Sequence, residues 1–336
     1  MPMLTASQVH IDQPLTNLTV AYLQSQDNFI ADKVFPNVAV DKKTNKYYIY
    51  DRENFYRSEV QARAPRTRSQ RIGMSLSTAT YTCDVRSLST DFDFETLANA
   101  DTMLDIRRGA SEMLTHNLLI DREKRWMDTF FGTGIWTTEY AGVANADNNL
   151  ATEVTQWDDY TNSTPIVDVT NARRAMQVKS GGFKPNKMVV TRDVHDILVN
   201  HPDILARLNG GATVTNTAII TSAKIAEIFE VSEYLVSDAI QNASAEGIAE
   251  SLGFVATKKA ALYYCPPSAG LMVPAAGYNF TWNELDNASG YGIDIRAYTG
   301  DFLRIEGVSE VLEANMAYDQ KVVGPDLGVF FNTVLS

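Results

Sequence analysis

Between Asp41 and Ile72 the sequence places nine basic residues: Lys42, Lys43, Lys46, Arg52, Arg57, Arg63, Arg66, Arg68 and Arg71. Only four acids stand among them: Asp41, Asp51, Glu53 and Glu59. A segment of net charge +5 cannot be folded into a core, because buried charge without a partner is too costly. It must lie on a surface or project from one. The rest of the chain is acidic. The 336 residues carry a formal charge of −12, so everything outside this segment sums to −17. From Glu227 to Ser336 fifteen acids face five bases. Asymmetry of this kind marks an interaction arm. Nucleic acid, solvent and the acidic surface of a second copy are the three candidate environments for it.

The residues around the basic cluster say what shape it takes. Lys46-Tyr47-Tyr48-Ile49-Tyr50 is aromatic and β-prone. Met74, Leu76, Thr78, Thr80 and Thr82 recur at period two within Met74–Val85, which predicts a strand. Between them, Phe55 to Arg71 is polar and Arg-rich, with Pro65 inside, the composition of a loop. Residues 41–85 therefore read as an extended β-hairpin with a basic tip. Fifteen residues per strand would project roughly 50 Å, against a radius of gyration of about 20 Å for a compact chain of this length. A two-stranded ribbon is marginal alone in water, so it requires something to lie on.

Phe94 to Phe131 contains no proline and one glycine, Gly109. Leu97, Leu104, Leu114, Leu118 and Met127 recur at near-helical spacing, Asp93 can cap the start, and Gly132 and Gly134 supply the stop. One helix over 94–131 would run about 54 Å, with Gly109 the place where it could bend. The heptads are too irregular for a coiled-coil stalk. Residues 135–164 read as a polar connection with short elements. After Pro165 the pattern turns to alternating helices and strands: a helix from Thr170 to Lys179 closed by Gly181-Gly182, and a buried strand over Lys187–Val190. A helix capped by Thr191 follows, then a turn opened by Pro202 and a helix over Ala223–Phe229. Strands are expected over Glu233–Ala239, Gly253–Ala256 and Ala260–Cys265, then a strand pair over Gly292–Tyr298 and Phe302–Val311, and a terminal turn and strand over Val322–Val334.

Composition sets the class. Hydrophobic residues make up 45% and charged residues 21% of the chain, ordinary for a folded protein. Two cysteines, Cys83 and Cys265, are too few for a disulfide scaffold and lack metal-site spacing. No leader-like start and no apolar run of about 18 residues is present. A globally basic nucleic-acid binder is excluded by the charge.

Motifs for catalysis are missing. There is no Gly-x-x-x-x-Gly-Lys-Ser/Thr loop, no Gly-x-Ser-x-Gly elbow and no paired histidines at ligand spacing. His195 lies between Asp193 and Asp196, but on a helix these three do not share a face. Asp121, Glu123 and Asp128 alternate with Arg122, Lys124 and Arg125, the pattern of an ion-paired helix face. No catalytic, cofactor-binding or metal-binding residue is expected, and no enzyme. A projecting basic ribbon, a rod-like helix and an acidic lobe fit a self-assembling structural subunit. The basic arm of one copy would meet the acidic lobe of the next, with Arg57, Arg63, Arg66, Arg68 and Arg71 at the contact.

The order of these features resembles the major capsid proteins of tailed bacteriophages of the Hong Kong 97 type. The most specific stretch is Lys184-Pro185-Asn186-Lys187-Met188-Val189-Val190-Thr191, followed by Val194, Leu198, His201-Pro202 and Leu205. Ala223, Ala226, Phe229 and Val231 with Tyr234-Leu235-Val236 continue it. The resemblance implies an α+β capsid fold with an extended hairpin loop, a long spine helix, and peripheral and axial domains. On this sequence the implied parts are an N-terminal arm (1–40) and the extended loop (41–85). A peripheral domain (86–164 and 293–318) holds the spine helix 94–131, and an axial domain takes 165–292 and 319–336.

The resemblance further implies hexamers and pentamers in an icosahedral shell around double-stranded DNA, bound without sequence specificity. It implies no cofactor, no membrane, a virion location and assembly in the host bacterial cytoplasm. A separate scaffolding protein, a portal and a cement or decoration protein are the implied partners. An encapsulin-like nanocompartment shell is the alternative on the same fold, and a basic-arm nucleic-acid-binding module the alternative from another class.

Overall fold

The computed structural model describes residues 24–50, 52–99, 106–146, 152–208, 221–270, 273–283, 293–299 and 310–336. The chain enters through a 3-10 turn (Gln26–Asn28), a short helix α1 (Ala31–Val34) and strand β1 (Asn37–Val40). The ribbon follows: β2 (Thr44–Tyr50), a single turn α2 (Glu53–Tyr56), a long irregular tip and β3 (Leu76–Thr82). Next come β4 (Asp84–Phe92), α3 (Phe94–Asn99), the long helix α4 (Ile106–Phe130), β5 (Thr138–Val143) and β6 (Glu153–Thr155). The alternating part comprises α5 (Pro165–Ser180), β7 (Lys187–Thr191), α6 (Arg192–Asn200), α7 (Pro202–Leu208), α8 (Ser222–Ile228) and β8 (Glu233–Ser237). The remaining elements are β9 (Ile240–Asn242), β10 (Leu252–Phe254), β11 (Ala260–Tyr263), β12 (Gly277–Trp282), β13 (Asp294–Thr299), β14 (Glu310–Val322) and β15 (Gly328–Asn332).

Two sheets organise these elements. A six-stranded sheet runs β6-β5-β15-β11-β7-β8. A five-stranded sheet is built around β14, which pairs antiparallel with β4 along Glu310–Tyr318, with β13 along Glu310–Asn315 on its other edge and with β12 along Tyr318–Val322, while β1 adds parallel to β12. β14 alternates poorly in sequence because Asn315 and Gln320 are buried along with its apolar residues. β9 and β10 form a separate antiparallel hairpin. The ranges 86–164 and 165–292 are crossed by these sheets. β5 and β6 join the sheet that contains β7 and β11, whereas β12 joins the one that contains β4. Strand pairing satisfies backbone groups wherever edges meet, regardless of distance along the chain.

The main core lies between the six-stranded sheet and its helices. Trp126, Phe130 and Phe131 at the end of α4 pack with Phe35, Trp136 and Tyr263. The orphan carbonyls expected at a helix C-terminus are satisfied here. Phe130 O accepts from Trp136 Nε1 (2.8 Å) and from Tyr263 OH (3.1 Å), and Phe131 O accepts from Lys259 Nζ (2.9 Å). A cation at that end also complements the helix dipole. The other half of α4 contributes Ala110, Leu114 and Leu118 to a second core against Leu312, Ala314, Met316 and Tyr318 of β14.

Several sequence expectations shift by identifiable causes. The helix expected from Thr170 starts at Pro165, because proline at the first helical position is pre-set for helix and needs no donor. Thr170 lies inside it, its hydroxyl donating to Ile166 O at 2.7 Å. Gly181 ends it at φ 83°, with Gly182 N donating to Gln177 O at 2.7 Å. Of the long rod expected over 94–131, helix is seen in α3 and α4, with 100–105 outside the described residues, and α4 spans about 38 Å. Asp93 does cap α3, Oδ1 accepting from Thr96 N at 2.6 Å. The Thr96 hydroxyl, together with this backbone N–H, holds its carboxyl below the usual range. The strand expected over 302–311 is seen from Glu310 onward and continues to Val322. The part over 302–309 lies outside the described residues, as does the Gly210-Gly211 turn.

Residues 29–35, within the range read as an arm, are built into the body. Phe29, Ile30, Ala31, Val34 and Phe35 are all buried.

Candidate assembly surfaces

The ribbon is held to the body by packing at its root and by polar contacts from Arg52 and Tyr56. β2 and β3 pair antiparallel from Thr44↔Thr82 to Tyr50↔Leu76. Each strand is seven residues, so the paired part extends about 23 Å, less than half the reach expected from sequence. At the root, Tyr81 stacks on Phe280 and Tyr47 packs on the same ring. Cys83, Tyr278 and Ala275 complete this third core. Desolvation by this packing pushes the Cys83 thiol up to about 12, so it is an inert core residue. Cys265 is likewise buried, its thiol raised to about 12 by desolvation.

Farther out the ribbon is bare, with every residue from 60 to 78 exposed. The exposed set includes Val60 (94%), Ile72 (70%), Met74 (64%) and Leu76 (50%). Apolar side chains in such density on a projecting strand pair are unusual for a monomer surface. The five arginines divide into two groups. Arg57 is paired locally with Glu53 (3.2 Å) and Glu59 (3.4 Å). Arg63, Arg66, Arg68 and Arg71 form no ion pair or side-chain hydrogen bond with any described residue. Arg66 is held at φ 66° in the turn that Thr67 N closes on Ala64 O. Of the five arginines read as contact residues, four thus carry no ionic partner among the described residues, and Arg57 is neutralised locally.

Two contacts that sequence reasoning did not find fold the near part of the tip toward the body. Arg52 Nη1 pairs with Asp326 at 2.7 Å and also donates to Lys179 O. Tyr56 OH donates to Gly181 O at 2.5 Å. Gly181 is required twice, for its positive φ and because a Cβ there would meet the Tyr56 ring at 2.4 Å. These contacts enclose an open groove of about 870 Å³. Tyr48, Tyr50 and Phe55 form one wall, and Phe183, Val273 and Leu327 face them from the body.

Ser163 Oγ and His201 Nε2 lie 2.9 Å apart, the spacing of a nucleophile and base, but the hydrogen bonds run the wrong way. Asp203 N donates to His201 Nδ1 (3.1 Å) and Ser163 Oγ donates to Asp159 O (2.6 Å). The imidazole therefore carries its proton on Nε2 and gives it to the serine. Burial lowers the His201 pKa, keeping the ring neutral. His195 bonds Tyr234 OH at 3.0 Å, while Asp196 pairs with Arg192 and Asp193 Oδ1 accepts Val194 N. As read from the sequence, the three do not converge.

Glu123 is the main surprise on α4. It was grouped with an exposed ionic face, yet it is fully buried. Its Oε2 accepts Ile30 N (3.0 Å) and Ala31 N (2.9 Å). Desolvation raises its pKa to about 7, against the opposing effect of these two bonds and Arg122. Among the described residues no cluster of three metal-ligating side chains occurs, and no helix is long and apolar enough to cross a membrane.

No protein-family model matches the chain. The major capsid protein of Pseudomonas phage JBD67 is 25% identical over 328 residues, covering 97% of each chain. Three solved structures share the architecture. The crystal structure of a phage-related protein from Bordetella bronchiseptica RB50 superposes with TM-score 0.64 at 19% identity over 93% of both chains. The capsid of cyanophage P-SCSP1u gives 0.59 at 11% identity, covering 97% of this chain and 93% of that one. The mature capsid of bacteriophage PhiM1 gives 0.56 at 12%, covering 96% and 92%. At these identities the structural likeness establishes the fold.

Proposed function

We propose that this chain, which has the fold of phage capsid subunits, is the major capsid protein of a tailed phage, of the Hong Kong 97 type. It forms the head that encloses double-stranded DNA. The observation that carries the reading is the ribbon, bare over residues 60–78, in a chain that aligns end to end with a phage major capsid protein. Burying that apolar surface needs other molecules, and in a shell these are further copies of the same chain.

In this reading the five-stranded sheet with α4 is the peripheral part and the six-stranded sheet with its helices the axial part. Arg63, Arg66, Arg68 and Arg71 contact a neighbouring subunit in hexamers and pentamers. Each exposed ion pair contributes only about 0.2–1 kcal/mol, so apolar burial along the ribbon supplies the larger share and the charges set register. The chain has no catalytic role. Assembly takes place in the host cytoplasm with a separate scaffolding protein, a portal and a cement protein as partners, and the mature location is the virion.

Expression of the full chain, alone and with its neighbouring genes, followed by sedimentation and negative-stain imaging, tests this. Closed shells or capsomers are expected. Dispersed monomers under both conditions overturn the reading, and a dispersed monomer that binds DNA with steep salt dependence replaces it with a nucleic-acid-binding module.

A further inference from the structure

The groove between ribbon and body is apolar and open, and one projection elsewhere on the molecule matches it in character. The β9–β10 hairpin exposes every residue from 245 to 254. It presents Ile248 (68% exposed), Leu252 (65%) and Phe254 (40%) together with Glu246 and Glu250. No basic residue occurs between Lys224 and Lys258, so this projection is uniformly acidic where it is charged.

The hairpin is also stiff. Asn242 Oδ1 gathers Ser244 N (3.1 Å), Ser244 Oγ (2.7 Å) and Ser251 N (2.9 Å), closing the loop on itself. Gln24 grips the hairpin's other side, its amide donating to Ile240 O (2.5 Å) and accepting from Ile240 N (2.8 Å). A preformed projection loses little conformational freedom when it is bound.

The groove has the opposite character around an apolar lining. The strand that forms its outer wall carries the exposed Lys46, with the exposed Lys42 and Lys43 just before it, whereas Arg52 and Arg57 beyond it are already paired with Asp326 and with Glu53 and Glu59. Its surface is supplied by Tyr48, Tyr50 and Phe55, all exposed in the single chain.

We propose that the β9–β10 hairpin of one copy seats in the groove between ribbon and body of a second copy, its apolar residues against the ribbon tyrosines and its acidic edge toward Lys42, Lys43 and Lys46. Knob and groove lie on different parts of the same surface. The contact is therefore heterologous and propagates into rings or open arrays rather than closing as a dimer. It deepens the shell reading, on which it rests, by assigning which surface of the neighbour meets the ribbon's inner side.

Two single-substitution variants of the full chain test it, Leu252→Cys and Tyr48→Cys. Both native cysteines are buried, and both new thiols replace exposed side chains. The variants are mixed, assembled, oxidised mildly with diamide and run on a non-reducing gel, with particles counted by microscopy. A covalent dimer at least tenfold more abundant in the mixture than in either variant alone is expected. Particles without the dimer overturn this contact and leave the shell reading intact. A dimer without particles supports the contact and counts against the shell. Neither particles nor dimer overturns both.

Discussion

Tyr81 and Phe280 lie face to face, ring centroids 4.6 Å apart and planes 10° from parallel. This pair joins the last turn of the ribbon to the five-stranded sheet. It is the point at which a long exposed projection gains a fixed direction. Stacked aromatics add about 0.5–1.5 kcal/mol beyond their burial.

Phe280→Ala should therefore be costly. Phe280 is buried and also contacts Tyr47 and Tyr278, so loss of about 3–5 kcal/mol is expected in urea unfolding followed by tryptophan fluorescence. Phe55→Ala, at an exposed position on the same ribbon, should shift stability by less than about 0.5 kcal/mol. Equal costs at the two positions would show that the root does not hold the ribbon.

Reversing Arg63, Arg66, Arg68 and Arg71 to Glu should block particle formation while the far-ultraviolet circular dichroism of the dispersed subunit stays native. All four are exposed, so the fold does not depend on them. Wild-type assembly should weaken as salt rises from about 0.05 to 0.5 M, because exposed charges are screened over a few ångströms at high ionic strength. Normal particles from the quadruple variant would remove these residues from the contact.

Glu123 should make stability pH-dependent in a definite direction. Its folded pKa is raised from the ordinary carboxylate range to about 7 by burial, so the folded state binds the proton more tightly than the unfolded chain. The protonated group's contribution is complete below about 4.5 and is lost as pH rises through 7. Glu123→Gln keeps an acceptor for Ile30 N and Ala31 N without the charge. Its stability relative to wild type should rise between pH 5 and pH 8, measured by paired denaturant titrations. A flat difference would show that the carboxyl does not titrate in this range.

Ser163→Ala removes the acceptor of a buried imidazole proton. A cost of about 1–3 kcal/mol is expected, with assembly otherwise unaltered. The His201 pKa is depressed by burial, so the stability that the neutral ring contributes is present above about 6.5 and is lost as pH falls through the lower folded value. His201→Asn should flatten that acid limb in a thermal melt series from pH 4 to 7, and an unchanged limb would place the acid sensitivity elsewhere.

What could be read from the sequence was what local spacing determines. The ribbon strands, the Asp93 cap, the β7 strand and the Pro202 turn follow from residues within a few positions of one another. The same holds for the uncommitted arginines, whose exposure follows from charge alone. What could not be read depends on distant partners. Glu123 looks like one more acid on a charged helix until Ile30 and Ala31, more than ninety residues away, place their N–H groups on it. Arg52 looks like part of the basic tip until Asp326, 274 residues on, claims it. β5 was assigned with α4 because it follows it, but its hydrogen bonds go to β15. β14 runs through 312–321, where the sequence suggests no strand, because its buried Asn315 and Gln320 break the apolar alternation. The groove was invisible for the same reason: its outer wall comes from Tyr48, Tyr50 and Phe55, and Phe183, Val273 and Leu327 reach it from far along the chain.

The bare stretch around Arg63 to Arg71 carries a biological corollary. Four arginines in an uncovered, irregular segment are ready cleavage points for any trypsin-like protease. In the proposed shell, copies that find neighbours would hide these bonds, and copies that do not would stay open to digestion. The same geometry that leaves the molecule incomplete would thus clear surplus or stalled subunits without a dedicated quality-control signal.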